Sequence, residues 1–381
     1  MSGIGFAMTD EQRMLQEMAH DFALNEIVPV ADHYDRTAEF PWPVLNKARE
    51  VGLINTNIPV QYGGGGLSAL DEAIVGEELA WGCSGISTSI LINNLSAIPI
   101  IVAGSQEQKR AWLGAMVEGQ LTSYAVTEPG AGSDVAGMQA TAERRGDEYI
   151  LRGTKTFISN ASVSNLFVVF AKTDKAARHK GISAFIVPRE SEGFRVSKKF
   201  DKMGQRASDT AEISLDEVVV PKENRLGPEG AGFMIAMRVF DISRPGVASA
   251  AVGVGRRAME EAIKYARERT TFGQPIWTYQ AVGHMVADMG MTLDAARLLA
   301  WRAAWAVDAN QIDPKFAAYA KTFAADSAMK ACVDAVQVFG GYGFMKEFPV
   351  EKLMRDVKVF QIYEGTSQIQ RNIVVRELFR D

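Results

Sequence analysis

Apolar positions in the first third of the chain recur at helical spacing. Thr9-Asp10-Glu11-Gln12 matches a capping box, in which a threonine hydroxyl and a glutamine amide satisfy orphan backbone donors. Met14, Leu15, Met18 and Phe22 follow at steps of 1, 3 and 4, one apolar face of a helix. Ser105-Gln106-Glu107-Gln108 is a second box and predicts a helix that stops near Gly119. Between them, Gly63 to Gly66 is a glycine run with too much backbone entropy for a helix, so a loop is expected. From Leu79 to Gln106 no residue is charged, long enough to cross a bilayer at ~20 residues. The run is diluted by Gly82, Ser84, Ser87, Ser89, Asn93, Asn94 and Pro99, which favours a buried helical region of a soluble protein and no membrane span.

The pattern changes near Leu121. Short runs rich in valine, isoleucine, phenylalanine and tyrosine appear at Ser123–Thr127, Glu148–Leu151, Lys155–Ser159, Leu166–Phe170 and Ile182–Val187, ending in Val218-Val219-Val220-Pro221. Arg152-Gly153-Thr154 predicts a hairpin between the second and third of these. Beyond about Gly230 helical periodicity returns. Val247, Ala251, Val254, Ala258, Ala262 and Tyr265 form one apolar stripe, and Arg256, Arg257, Glu260, Glu261 and Lys264 fill the opposite face, with Glu260 to Lys264 a favourable pair. Alanine-rich helices are expected over Tyr279–Asn310 and Pro314–Phe339. The pattern thus predicts an α+β chain in three parts: a helical domain over 1–120, a β-domain over 121–228 and a helical domain over 229–381.

Composition narrows the class. Lys+Arg numbers 41 against 46 Asp+Glu, a net charge of −5 without the basic footprint of a nucleic-acid binder. The two cysteines, Cys83 and Cys332, fit a reducing compartment better than a disulfide framework. The amino terminus has no basic region followed by an apolar run, so neither a secretory signal nor a transit peptide is expected. The scattered histidines and the lack of a Cys-x-x-Cys argue against a metal site.

Four segments carry candidate chemistry. Gly253-Val254-Gly255-Arg256-Arg257-Ala258 spells a dinucleotide fingerprint, but it lies inside a helical stripe and reads as close helix packing. Val126 to Asp134 leaves a strand for a glycine-rich loop, whose open N–H groups suit phosphates or ring oxygens; an ordinary turn is the alternative. Arg269-Thr270-Thr271-Phe272-Gly273 could hold a pyrophosphate, or Arg269 could simply complement a helix dipole. Phe360 to Arg371 sets Glu364 among aromatic and apolar residues, as a base of raised pKa or as a solvated glutamate in a turn.

Taken in order, these segments resemble the acyl-CoA dehydrogenase family, with Met203 to Thr210, Gln337 to Phe344 and Pro349 to Arg371 closest to its medium- and short-chain branch. The resemblance covers nearly the whole chain. It implies an N-terminal helical domain, a middle β-barrel and a C-terminal four-helix bundle, with FAD between the β-domain and the bundle. It assigns Tyr124, Val126, Thr127, Ser133, Phe157, Ser159, Thr366 and Gln368 to the flavin or CoA moiety, Phe157 standing where the family usually has tryptophan. Arg269, Thr271, Phe272, Gln280, Gln337, Gly340 and Gly341 match residues lent to the FAD of a neighbouring subunit, which implies a homotetramer built as a dimer of dimers. Ser133, Asp241, Arg244, Tyr363, Gly365 and Arg376 match the acyl-CoA site.

The implied reaction is α,β-dehydrogenation: Glu364 takes the α-proton of an acyl-CoA, the β-hydride passes to the flavin, and electrons leave to an electron-transferring flavoprotein. An acyl-CoA oxidase, a flavin-dependent desulfinase and a non-catalytic acyl-CoA binder on the same scaffold remain alternatives. Ser243 stands where branches acting on isovaleryl-CoA carry the base, and Leu91 stands where a carboxylate is usual on the tail-lining helix, so a straight short- to medium-chain substrate is expected. A cytoplasmic location is expected for a bacterial chain, or the mitochondrial matrix for a mature eukaryotic one.

Overall fold

The computed structural model describes residues 7–380. The N-terminal part is helical: α1 (Asp10–Phe22), α2 (Ala31–Thr37), α3 (Trp42–Glu50), α4 (Ala69–Ala103), α5 (Gln106–Gln108) and α6 (Gly114–Val117). Both expected capping boxes form, at Thr9 and at Ser105. A third, Ser68 with Asp71, opens α4 directly after the glycine loop and was not anticipated.

The uncharged run is a helical element that folds back on itself. Cys83 interrupts α4 with extended backbone (φ −167°, ψ 117°). Asn94 Nδ2 donates to Glu72 Oε1 at 2.6 Å, although 22 residues of straight helix would separate them by ~33 Å. Residues 69–82 and 84–103 are therefore antiparallel arms joined at a one-residue corner. Among the described residues this is the one element long and apolar enough to cross a membrane, and most of its apolar stretch is buried within the protein.

The middle part is a single eight-stranded sheet of β1 (Thr122–Ala125), β2 (Thr141–Arg145), β3 (Glu148–Ser159), β4 (Leu166–Lys172), β5 (Ile182–Pro188), β6 (Phe194–Lys199), β7 (Thr210–Pro221) and β8 (Arg225–Leu226). The order is β6-β7-β3-β2-β4-β5-β8, with β1 parallel to β4. Inward residues from opposite parts of the sheet, including Tyr149, Phe167, Phe185, Phe194 and Val220, share one core, so the sheet curls around it.

The hairpin expected at Arg152-Gly153-Thr154 does not form. β3 runs straight through, paired with β7, and Gly153 (φ +141°) sits at a bulge. A Cβ there would lie 2.7 Å from that of Ala140, so the glycine answers a close approach instead of a turn. The turn lies at Gly146, between β2 and β3.

The C-terminal part comprises α7 (Gly232–Glu268), a ribbon of β9 (Thr270–Thr271) and β10 (Gln274–Pro275), α8 (Gln280–Asp308), α9 (Pro314–Phe339), α10 (Pro349–Val357) and α11 (Ser367–Leu378). Ala251, Val254, Ala258 and Ala262 of the predicted stripe are fully buried. A Cβ on Gly253 would fall 2.1 Å from the Glu77 carbonyl oxygen, so the fingerprint-like motif is where α4 presses on α7. The expected Glu260–Lys264 pair is absent, because α4 takes over the charged face. Trp81 Nε1 donates to Glu260 at 2.7 Å, Arg256 reaches Glu77 and Glu78, and Arg297 of α8 reaches Glu77.

Candidate active site

The chain leaves α10, turns, and enters α11, whose N-cap Thr366 accepts from the Ile369 N–H at 3.2 Å. Within this turn Glu364 has φ +52° and Gly365 φ +95°. The left-handed region is free for glycine but costs another residue ~1–2 kcal/mol. Three side chains hold the turn. Arg244 Nε of α7 donates to the Glu364 carbonyl at 3.1 Å. Gln370 Nε2 donates to the carbonyls of Glu364 and Gly365 at 3.0 and 3.1 Å. Lys321 Nζ of α9 donates to the Gly365 carbonyl at 2.6 Å. Among the described residues the Glu364 N–H has no backbone acceptor, so it is a donor available to a ligand.

The carboxylate points to α7, where Ser243 Oγ donates to Glu364 Oε2 at 2.6 Å. Burial pushes the Glu364 carboxyl above the usual carboxylate range. The Ser243 hydrogen bond and the nearby Arg244 and Lys321 cations pull the other way. Arg244, itself buried, pairs with Asp241 at 3.1 Å and lies over the Phe240 ring. The Tyr124 ring of β1 stands edge-on to Phe170 and Phe240, and its buried hydroxyl has no partner. Burial first, then the Glu364 charge, holds that hydroxyl far above the ordinary phenol range, so it is a neutral donor. Burial likewise raises the hydroxyl of half-buried Tyr363.

The glycine-rich loop lies at the end of β1. Val126 is buried, Thr127 half-buried and Ser133 exposed, and side chains built on Gly130 or Gly132 would meet nothing. Glu128 fixes the loop from beneath by accepting from the N–H groups of Gln139 and Ala140 and from Lys155 Nζ at 2.8 Å. The Thr156 N–H donates to the Thr127 carbonyl, bringing β3 alongside the loop. On β3, Phe157 is held at φ +58° with 63% of its surface exposed, an outlier for a bulky residue. Ser159 is half-buried beyond it, while Gln368 on α11 is exposed.

A second group gathers at the far end of α7. Arg269, Thr271, Gly340 and Gly341, with Tyr265, Phe339 and Tyr342, line an open cavity of about 540 Å³. Phe272, Gln280 and Gln337 are exposed nearby in sequence. Arg244 and Arg269 lie 25 residues apart along one helix, ~37 Å, so a single chain does not bring the two groups together. Arg376 on α11 is exposed and paired with Glu377, close enough for its charge to act on Asp241 and Arg244.

The residues present fit FAD: an unsatisfied buried phenol, an open glycine loop and an exposed aromatic suit a polar, planar ring system, and a guanidinium beside open glycines suits a pyrophosphate. Sequence reading missed the Ser243 contact, Lys321, Gln370 and Tyr342. Lys321 alone carried a signal, as one lysine on the buried alanine face of α9.

The fold and these two groups of residues define an acyl-CoA dehydrogenase. Its N-terminal, middle and C-terminal domain models match residues 9–120, 123–218 and 230–379. The chain belongs to this family of FAD-dependent oxidoreductases of fatty acid β-oxidation, which act on the CH–CH group of acyl-CoA. It is 41% identical to a probable medium-chain specific acyl-CoA dehydrogenase 2, mitochondrial, of Caenorhabditis briggsae, covering 98% of this chain and 92% of that protein. The butyryl-CoA dehydrogenase structure of Megasphaera elsdenii superposes with a TM-score of 0.96 at 37% identity, covering 99% of this chain and all of that one. A chain in a structure described as the electron transferring flavoprotein of Acidaminococcus fermentans gives 0.97 at 41% identity, again covering 99% of this chain and all of that one.

Proposed function

We propose that this protein converts a straight-chain, short- to medium-chain acyl-CoA to the trans-2-enoyl-CoA, with Glu364 as the base. The observation that carries the reading is the Glu364 turn: a half-buried carboxylate of raised pKa, bonded to Ser243, beside its own free N–H. Glu364 takes the α-proton, and its raised pKa suits a base working near neutrality. Its N–H donates to the thioester oxygen as negative charge develops there. Tyr124, Val126, Thr127, Ser133, Phe157, Ser159, Thr366 and Gln368 hold the flavin side, and Asp241, Arg244, Tyr363, Gly365 and Arg376 the substrate side. When bound, FAD supplies the acceptor for the β-hydride. An electron-transferring flavoprotein then receives the electrons, a reading supported by the kind of structure in which a similar chain occurs.

Glu364→Gln should retain FAD and acyl-CoA binding and lose at least ~10³-fold in turnover, from general-base catalysis and positioning together. Anaerobic bleaching of the flavin by an acyl-CoA measures this. Activity within tenfold of the parent would overturn the assignment. The same assay over butyryl-, hexanoyl-, octanoyl-, isovaleryl- and an aryl-substituted acyl-CoA tests the substrate, with kcat/KM expected to peak among the straight chains and isovaleryl-CoA poor.

A further inference from the structure

Lys321 is fully buried on α9, flanked along the helix by Ala317, Ala318, Ala320, Ala324 and Ala325. Burying an ammonium is expensive unless something answers its charge. Among the described residues its one hydrogen bond is to the Gly365 carbonyl. The charged groups that act on it are Glu364 from the α10–α11 turn, Arg244 from α7 and Asp326 from its own helix. Asp326 is already engaged by Arg371, Gln361 and Ser367. Arg244 is paired with Asp241. Lys321 and Glu364 are thus the cation and the anion of this region left without a salt-bridge partner of their own.

We infer that Lys321 is a positioning residue for the reaction: its ammonium pins the Glu364–Gly365 turn through the Gly365 carbonyl and keeps the Glu364 carboxylate ionised until substrate arrives. This rests on the reading of Glu364 as the base. Both carbonyls of the turn are taken from the bundle side, by Lys321, Gln370 and Arg244, which leaves the Glu364 N–H for the substrate. Burial brings the Lys321 ammonium down to about 8, so it is charged at neutral pH. The groups facing Glu364 are Lys321, Arg244, Ser243 and the neutral Tyr124 and Tyr363.

The test uses the FAD-loaded enzyme and a 3-oxoacyl-CoA, whose α-proton lies between two carbonyls and leaves without redox chemistry. Near-ultraviolet absorbance of the bound enolate, followed against pH, reports proton transfer to the base alone. Lys321→Met removes both charge and donor; Lys321→Gln keeps a donor for Gly365. Both should raise the midpoint pH of enolate formation by about one unit, the effect of losing a nearby opposite charge. Turnover at pH 7 should fall ~10-fold or more in Lys321→Met and less in Lys321→Gln. A midpoint within about 0.3 unit of the parent in folded, FAD-loaded variants would overturn the inference. Failure of both variants to fold would also overturn it, in favour of a purely structural lysine. Glu364→Gln is run alongside: enolate formed as readily there would refute the base itself, a failure distinct from that of Lys321.

Discussion

Gly246 lies one turn beyond Ser243 on α7, and a side chain built on it meets nothing within 4 Å. Leu91 and the Gly246 carbonyl both approach Gly76, so the open space beside the proposed base is bounded there by the folded-back arm of α4. Gly246→Val should narrow that space. Relative kcat/KM across a chain-length series should fall for the longer acyl-CoAs by roughly fourfold per methylene excluded, with butyryl-CoA least affected. An unchanged ranking would show that the tail runs elsewhere. Glu364 is a residue whose role local pattern left undecided: a lone carboxylate in a turn reads the same whether solvated or buried, and only the whole-chain resemblance singled it out. Ser243, Lys321 and Gln370 stayed hidden because their roles depend on contacts across 121, 44 and 6 residues.

Among elements, those with strong local signals were legible. The Thr9 and Ser105 boxes, the apolar stripe of α7 and the Pro314–Phe339 helix all stand where spacing put them. The two failures have tertiary causes. Gly153 mimics a turn residue because Ala140 crowds it, and α4 conceals a corner because nothing in its apolar run marks Cys83. The fold-back has a titratable signature. Glu72 on one arm accepts from Thr56 Oγ1 and from Asn94 Nδ2 of the other arm, and burial raises its carboxyl to about 7. The folded protein therefore binds this proton more tightly than the unfolded chain, whose glutamate titrates near ~4.3. Stability gained below that pH is lost as pH rises through 7, by up to about 3 kcal/mol. Urea unfolding from pH 4.5 to 7.5 should show this slope in the parent and a flatter one in Glu72→Gln.

At the scale of the whole molecule, the separation of the Arg269 group from Glu364 is the property that favours the proposed sharing of sites between copies. Large aromatic surface is also left in the open, with Phe272 at 98%, Phe379 at 84% and Phe344 at 81% exposure. We expect a homotetramer in which Arg269, Thr271, Phe272, Gln280, Gln337, Gly340 and Gly341 reach the FAD of a neighbouring copy. Arg269→Ala should lower the FAD-to-protein absorbance ratio while leaving the circular dichroism spectrum and the oligomer intact. A monomer with full FAD, seen by light scattering on a sizing column, would contradict the arrangement.

The left-handed backbone at Glu364 sets chemistry against durability. A glycine there would relieve strain of ~1–2 kcal/mol and lose the carboxylate. That gain would be offset, because a glycine would also leave the Ser243 hydroxyl and the buried Lys321 ammonium without the carboxylate they face. On the proposed reading of Glu364 as the base, the strained conformation serves turnover and not the stability of the turn. A glutamate held in left-handed backbone is what the proposed role as base leads one to expect, since main-chain geometry alone favours glycine there.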